Sequence, residues 1–166
     1  MKRSEKELDE ALAAALENQP AFLSWVLGQT KFAGRGLVFH SCRSNHPWGA
    51  HPFTYPDSET GQIEQTRRES ETDVLLLVKD EQNRIFAVHF ENKLGSGAFT
   101  KLQPEMYAQR AAHWVKNPKY GSYEDFDTVL VAPLEFEARN RGQAAAFGRF
   151  ISHEAVAAFV SAFGAA

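Results

Sequence analysis

Apolar side chains recur every three or four positions over residues 4–17, where Leu8, Leu12, Ala15 and Leu16 form one stripe. That period predicts an amphipathic helix, with Ser4 as its cap and Glu7 completing a capping box. Glu7, Glu10 and Glu17 fall together on a different stripe. Pro20 ends this helix or begins another; Phe22, Leu23, Val26 and Leu27 suggest a second helical stretch closed by Gly28. Residues 36–40 read as a short strand. The chain then turns rich in Gly, Pro, Ser, His and aromatics as far as Pro56, which reads as a long loop, functional or mobile. Residues 62–72 are polar. Val74–Val78 is an unbroken apolar run, the signature of a strand covered on both faces. Asp80–Asn83 has turn chemistry. A second strand over Ile85–Phe90 runs into Glu91-Asn92-Lys93, and Gly95-Ser96-Gly97 breaks it. Residues 100–116 read as a helix. Val129–Ala132 is a short strand stopped by Pro133, and residues 134–149 are ambiguous. Ser152 caps a last helix from His153 to about Phe163. The alternation is that of one α/β domain over residues 1–166.

The two central strands make a hairpin whose register can be derived. Side chains alternate faces, so Asp73, Leu75 and Leu77 share one face, as do Ala87, His89, Glu91 and Lys93 on the second strand. Setting Asp73 opposite Glu91 puts Leu75 opposite His89 and Leu77 opposite Ala87. About five residues around Asp80–Arg84 remain for the turn, a common hairpin length. A slip of one residue would send Glu91 and Lys93 to the other face. In the first register two carboxylates and an ammonium converge at one end of a buried hairpin. Unpartnered, they would be costly to bury, and a divalent cation would reconcile the carboxylates.

The totals constrain this picture. Hydrophobic residues make up 43% of the 166, and charged residues 23%, as in ordinary globular proteins. No apolar run reaches the roughly 18 residues of a membrane span. The N-terminal MKRSEKELDE is charged, unlike a secretory signal. One cysteine, Cys42, excludes an internal disulfide and makes a reducing cytoplasm the expected compartment. The net charge of −3 argues against a protein that coats DNA through phosphates alone. It does not exclude an enzyme with local positive charge and a bound metal.

Mg²⁺ takes oxygen ligands and keeps several waters. Asp73, Glu91 and the backbone carbonyl of Asn92 could hold it, and the Lys93 ammonium could stabilise charge growing on phosphorus. Asp73 followed by Glu91-Asn92-Lys93 resembles the PD-(D/E)XK nuclease superfamily, with Thr72-Asp73 in place of the common Pro-Asp. Gln103-Pro-Glu-Met-Tyr107 resembles the QxxxY motif of RecB-type and lambda-exonuclease-like branches. Phe147–Phe159 is similar to the closing strand and helix of bacterial members. The resemblance spans roughly residues 5–163, its specific part only 71–107. It implies a restriction-endonuclease-like α/β fold, with a central mixed sheet of four or five strands flanked by helices. It also implies a Mg²⁺- or Mn²⁺-dependent nuclease acting on nucleic acid, most readily DNA. Asp73 and Glu91 would be metal ligands, Lys93 the catalytic lysine, and Gln103 and Tyr107 residues that shape the site. Members often add an acid from the first helix, for which Glu10 is the candidate and Glu7 and Glu17 the rivals.

Plainer readings stand beside these. Glu91 and Lys93 could be a solvated ion pair at a hairpin rim. Gln103 could simply close a capping box with Thr100. Tyr107 could pack with Arg110 and Trp114 on one helix stripe. His40, Cys42, His46 and His51 are zinc-ligand types in an unusual spacing. His89 could face substrate or be a hydrogen-bonded core residue. Arg67 and Arg68 could anchor phosphate, Trp48 and Phe53 could stack on a base, and Glu71 could be a further acid. The main rival to a nuclease is a nuclease-fold protein that binds nucleic acid or a partner protein without cutting; a zinc-containing structural domain is a weaker one. A homodimer, DNA against RNA, and endo- against exonucleolytic cutting all stay open.

Overall fold

A computed structural model describes residues 2–164. Helices α1 (Glu5–Asn18) and α2 (Pro20–Gly28) lead into strand β1 (Val38–Arg43). A hairpin of β2 (Trp48–Pro56) and β3 (Ile63–Glu71) follows, then β4 (Val74–Lys79), β5 (Ile85–Asn92), α3 (Gln103–His113) and β6 (Asp125–Ala132). The chain closes with α4 (Leu134–Arg139), α5 (Arg141–Ala144), β7 (Arg149–Ser152) and α6 (His153–Val156). Five strands form one mixed sheet in the order β1-β4-β5-β6-β7. The β1–β4 and β4–β5 pairs are antiparallel, and β5–β6 and β6–β7 are parallel. The α/β class and the mixed, helix-flanked sheet thus agree with the sequence reading.

The capping box of α1 is formed: the Glu7 amide donates to Ser4 Oγ at 3.2 Å and the Ser4 amide to Glu7 Oε2 at 2.7 Å. Pro20 begins α2. The central hairpin has the derived register, with Leu75 opposite His89 and Leu77 opposite Ala87. Its turn closes through the Asp80 amide on the Arg84 carbonyl. Val74, Leu76, Val78, Val88 and Phe90 meet Leu8, Leu12 and Leu16 of α1 and Phe22 and Val26 of α2 in the largest core. Leu75, Leu77 and Ala87 face the other way, onto Trp114, Tyr120 and Tyr123. The continuous apolar run of β4 is explained by this cover on both sides. No helix among the described residues is long and apolar enough to cross a membrane.

Two expectations are corrected. The long loop to Pro56 contains β2, which pairs over its whole length with β3 in a separate two-stranded sheet. Gly49, His51 and Phe53 are buried on one face of β2, while β3 is almost wholly exposed. A strand with one polar partner and no continuous apolar run carries little periodic signal. The Thr54 amide and carbonyl turn away from β3 and pair with the Gln109 side chain. Pro52 and Pro56 share that outward direction by the two-residue repeat, so their missing N–H groups cost no ladder bond. The last helix is a single turn, α6, followed by a bend and a short 3-10 turn at Ser161–Phe163. The bend lays Phe159 against Phe22 and Trp25, and Phe163 edge-on to His153.

Candidate functional site

Asp73 lies one residue before β4, Glu91 in the adjacent end of β5, and Lys93 one residue beyond β5. All three are nearly buried, at 8%, 1% and 8% exposure. Glu91 Oε1 accepts from Lys93 Nζ at 2.8 Å and from Gln103 Nε2 at 2.9 Å. Its other oxygen, Oε2, is buried and has no hydrogen-bond partner among the described residues. Asp73 Oδ2 accepts from the Asn92 amide at 2.9 Å. Asn92 therefore enters through its N–H, and also through its side chain, which donates to Asp9 Oδ1 at 3.2 Å and meets His153 Nε2 at 2.9 Å.

The first-helix acid is Asp9, which corrects the assignment of Glu10. Asp9 is fully buried. Glu10 is one residue on, hence about 100° around the helix; its side chain is 57% exposed and lies 3.9 Å from Lys6. Glu7 is consumed by the capping box, and Glu17 is exposed beside Leu16 and Pro20. The sequence did hold a signal: Asp9, Leu12 and Leu16 recur at three and four, so Asp9 borders the apolar stripe.

A second group that the sequence reading left out of this site is His46. It has φ of 53°, a conformation that non-glycine residues seldom adopt without a structural reason. Its Nε2 lies 3.0 Å from Asp9 Oδ2, and its Nδ1 lies 3.1 Å from Glu71 Oε1 and 3.8 Å from Asp73 Oδ1. Pro47 fixes this segment to the central hairpin, its carbonyl accepting from the Thr72 amide at 3.0 Å. Asp9, His46 and Asp73 each offer a ligand atom, all within 4.8 Å of one another. The zinc set of His40, Cys42, His46 and His51 is not brought together. His40 is exposed, Cys42 packs against the main core, and His51 bonds Ser70.

Gln103 and Tyr107 serve the site and the scaffold at once. Gln103 Oε1 accepts from the Thr100 amide at 3.0 Å while its Nε2 holds Glu91, but the expected capping box is not formed: α3 is capped by Leu102, at φ of 63°, without a side-chain bond. The Tyr107 hydroxyl, fully buried, donates to the Phe90 carbonyl and accepts from the Asp73 amide, each at 3.2 Å. It thereby ties the ends of β4 and β5 together. His89 is a core residue, between Thr72 Oγ1 at 2.9 Å and the Tyr123 hydroxyl at 3.1 Å. Burial, helped by the Arg110 charge, holds its pKa far below the usual histidine range. Arg110 is itself buried, stacked 4.1 Å over Tyr107 and bonded to Thr72 and Ser70. Arg67 and Arg68 are exposed on β3, Trp48 is exposed, and Phe53 is buried.

The electrostatics are frustrated. Burial, then the charges of Glu91 and Asp9, push the Asp73 carboxyl up to about 8, against the Asn92 N–H and His46. Burial pushes Asp9 up to about 6, against hydrogen bonds from His46 and Asn92. Burial opposes protonation of His46, but hydrogen bonds to Glu71 and Asp9 and the Asp73 charge outweigh it, and its pKa is raised. Burial likewise opposes the charge on Lys93, and Glu91 outweighs it. Three acids thus share one dry corner with too few cations. A hard divalent ion would let Asp9 and Asp73 ionise; Glu91, expected as a ligand beside Asp73, lies outside the group whose ligand atoms come within 4.8 Å of one another. Comparisons with protein-family models, curated proteins and solved structures return no match.

Proposed function

We propose that this chain is a metal-dependent nuclease with a restriction-endonuclease-like, PD-(D/E)XK arrangement, hydrolysing phosphodiester bonds, most readily in DNA. The observation that carries the reading is the convergence of Asp9, His46 and Asp73 beside the Glu91–Lys93 pair, drawn from α1, the β1–β2 connection and the ends of β4 and β5. The donor set fits a divalent cation: two carboxylates and an imidazole offer ligand atoms within 4.8 Å of one another. A nitrogen among the ligands favours Mn²⁺ over Mg²⁺, which prefers oxygen alone.

Asp9, His46 and Asp73 would hold the ion, while Glu91, outside that ligand group, would hold Lys93 in place. The bound ion would lower the pKa of a water and neutralise phosphate oxygens. Lys93 would place its ammonium against the phosphate oxygen on which charge grows as water oxygen attacks phosphorus; the departing ester oxygen leaves with a proton. Gln103 orients Glu91, and Tyr107 holds Asp73 and the β5 end in register.

The test is cutting of plasmid and single-stranded circular DNA with Mn²⁺ or Mg²⁺. Cutting should appear with metal and vanish with a chelator. Lys93→Ala should lower the rate by about a hundredfold or more with metal binding retained. A folded, metal-binding protein that cuts neither DNA nor RNA would sink the reading. The net charge of −3 favours, as a second reading, a protein of this architecture that binds without cutting; such a protein need not bind a divalent ion.

A further inference from the structure

Beside the metal-ligand cluster, and not used by it, stands an exposed tryptophan on a rigid mount. Trp48 is 57% exposed, against 1% for Trp114. It begins β2 two residues after His46, so the two Cα atoms are at most about 7 Å apart. Its cross-strand partner is Glu71, which bonds His46. The Trp48 carbonyl accepts from the Tyr120 hydroxyl at 2.8 Å and from Lys119 Nζ at 3.3 Å. Gly49 follows, buried so tightly that an added Cβ would overlap the Tyr120 hydroxyl. Tyr120 is in turn stacked on Trp114 at 3.6 Å. The backbone under Trp48 is therefore held by its ladder with β3 and by Tyr120 and Lys119, while more than half of the residue stays exposed.

Cations border the ring on the Lys119 side, while the half-exposed Glu71 lies across the strand pair. Lys119 Nζ lies 5.3 Å from the Trp48 ring centroid. Arg43 donates to the Lys119 carbonyl at 3.1 Å, and Lys116 is exposed on the same connection. An aromatic face flanked by cations recognises an unpaired base and the phosphates beside it, because every base has a stacking face and only an unpaired one presents it. A duplex keeps its base faces stacked internally.

We propose that Trp48, with Lys119 and Arg43, is a platform for single-stranded nucleic acid that delivers the strand to the metal-ligand cluster. The platform rests on the nuclease reading for its purpose but can be tested without cutting. The full chain is titrated with a short oligothymidylate, and separately with a duplex, in the presence of a chelator. Tryptophan fluorescence and anisotropy of a labelled strand are both followed. The single strand should quench the emission. Trp48→Ala should weaken its binding by about five- to a hundredfold, Trp48→Phe should weaken it less, and duplex binding should change less than about twofold. Lys119→Gln should weaken single-strand binding and flatten its salt dependence. The Trp48 side chain is exposed, so these variants should keep the wild-type circular dichroism and melting curve.

No quenching, or equal losses on single strand and duplex, would overturn the platform. So would unchanged affinity in Trp48→Ala, which is the result expected if the patch docks a protein instead. Metal-dependent cutting of single strands that ignores Trp48 would overturn the platform and leave the nuclease reading intact. Trp48-dependent single-strand binding with no cutting under any metal would uphold the platform and end the nuclease reading.

Discussion

Asp9 and Glu10 differ by one position and have opposite fates, because a step of one residue turns a helix side chain by about 100°. Asp9 meets His46 and Asn92 in the dry corner. Glu10 meets water and Lys6. Glu7, Glu10 and Glu17 share a stripe with one another, whereas Asp9 borders the leucine stripe that the core covers. His46 was less legible, since its place depends on a loop residue at positive φ docking onto two distant elements. Asp73, Glu91 and Lys93 were legible because strand periodicity and the apolar runs of β4 and β5 fix their register. Tyr107 is the residue that makes that register rigid. Tyr107→Phe would leave the Asp73 amide and the Phe90 carbonyl each short of a bond in a buried site. It should cost about 1–3 kcal/mol, measured by chemical denaturation, and should lower the proposed cutting rate.

At the scale of elements, α1, β4 and β5 followed from local pattern, and β2–β3 did not. The first three bury apolar faces that the sequence displays. The arm is held by its own ladder and by side chains reaching from α3, interactions that periodicity does not encode. Gln109 is the clearest of these, bracketing Thr54 as a neighbouring strand would. Gln109→Ala should cost about 1 kcal/mol. Amide exchange should quicken across Trp48–Pro56 and stay slow across Val74–Lys79. Equal quickening in both would mean that the arm and the sheet open together. The final segment shows the same limit: Phe159 and Phe163 are placed by their aromatic neighbours, and the helical pattern gives way.

For the whole molecule, the cluster should couple stability to pH and, on the proposed reading, to metal. Asp73 rises from 3.8 to about 8 and Asp9 from 3.8 to about 6 on folding. The folded protein therefore holds these protons more tightly than the unfolded chain. The stabilisation they give is full below about pH 4 and is lost as pH rises through 6 and then 8. In a chelator, Tm should fall between about pH 4 and pH 8, and Asp73→Asn should flatten the upper part of that fall. On the proposed reading Mn²⁺ would compete with those protons, so the Tm increase it produces should grow with pH. A metal-free Tm that climbs steadily across that range would contradict the proposed burden of buried carboxylates. The most direct measurement is a Mn²⁺ titration followed by electron paramagnetic resonance, on the wild type and two single variants. One strong site is predicted in the wild type and in Glu10→Gln, and it should be lost or weakened at least about tenfold in Asp9→Asn. A wild type with no site, or an Asp9→Asn protein that binds as the wild type does, would contradict the claim that Asp9, His46 and Asp73 hold the ion.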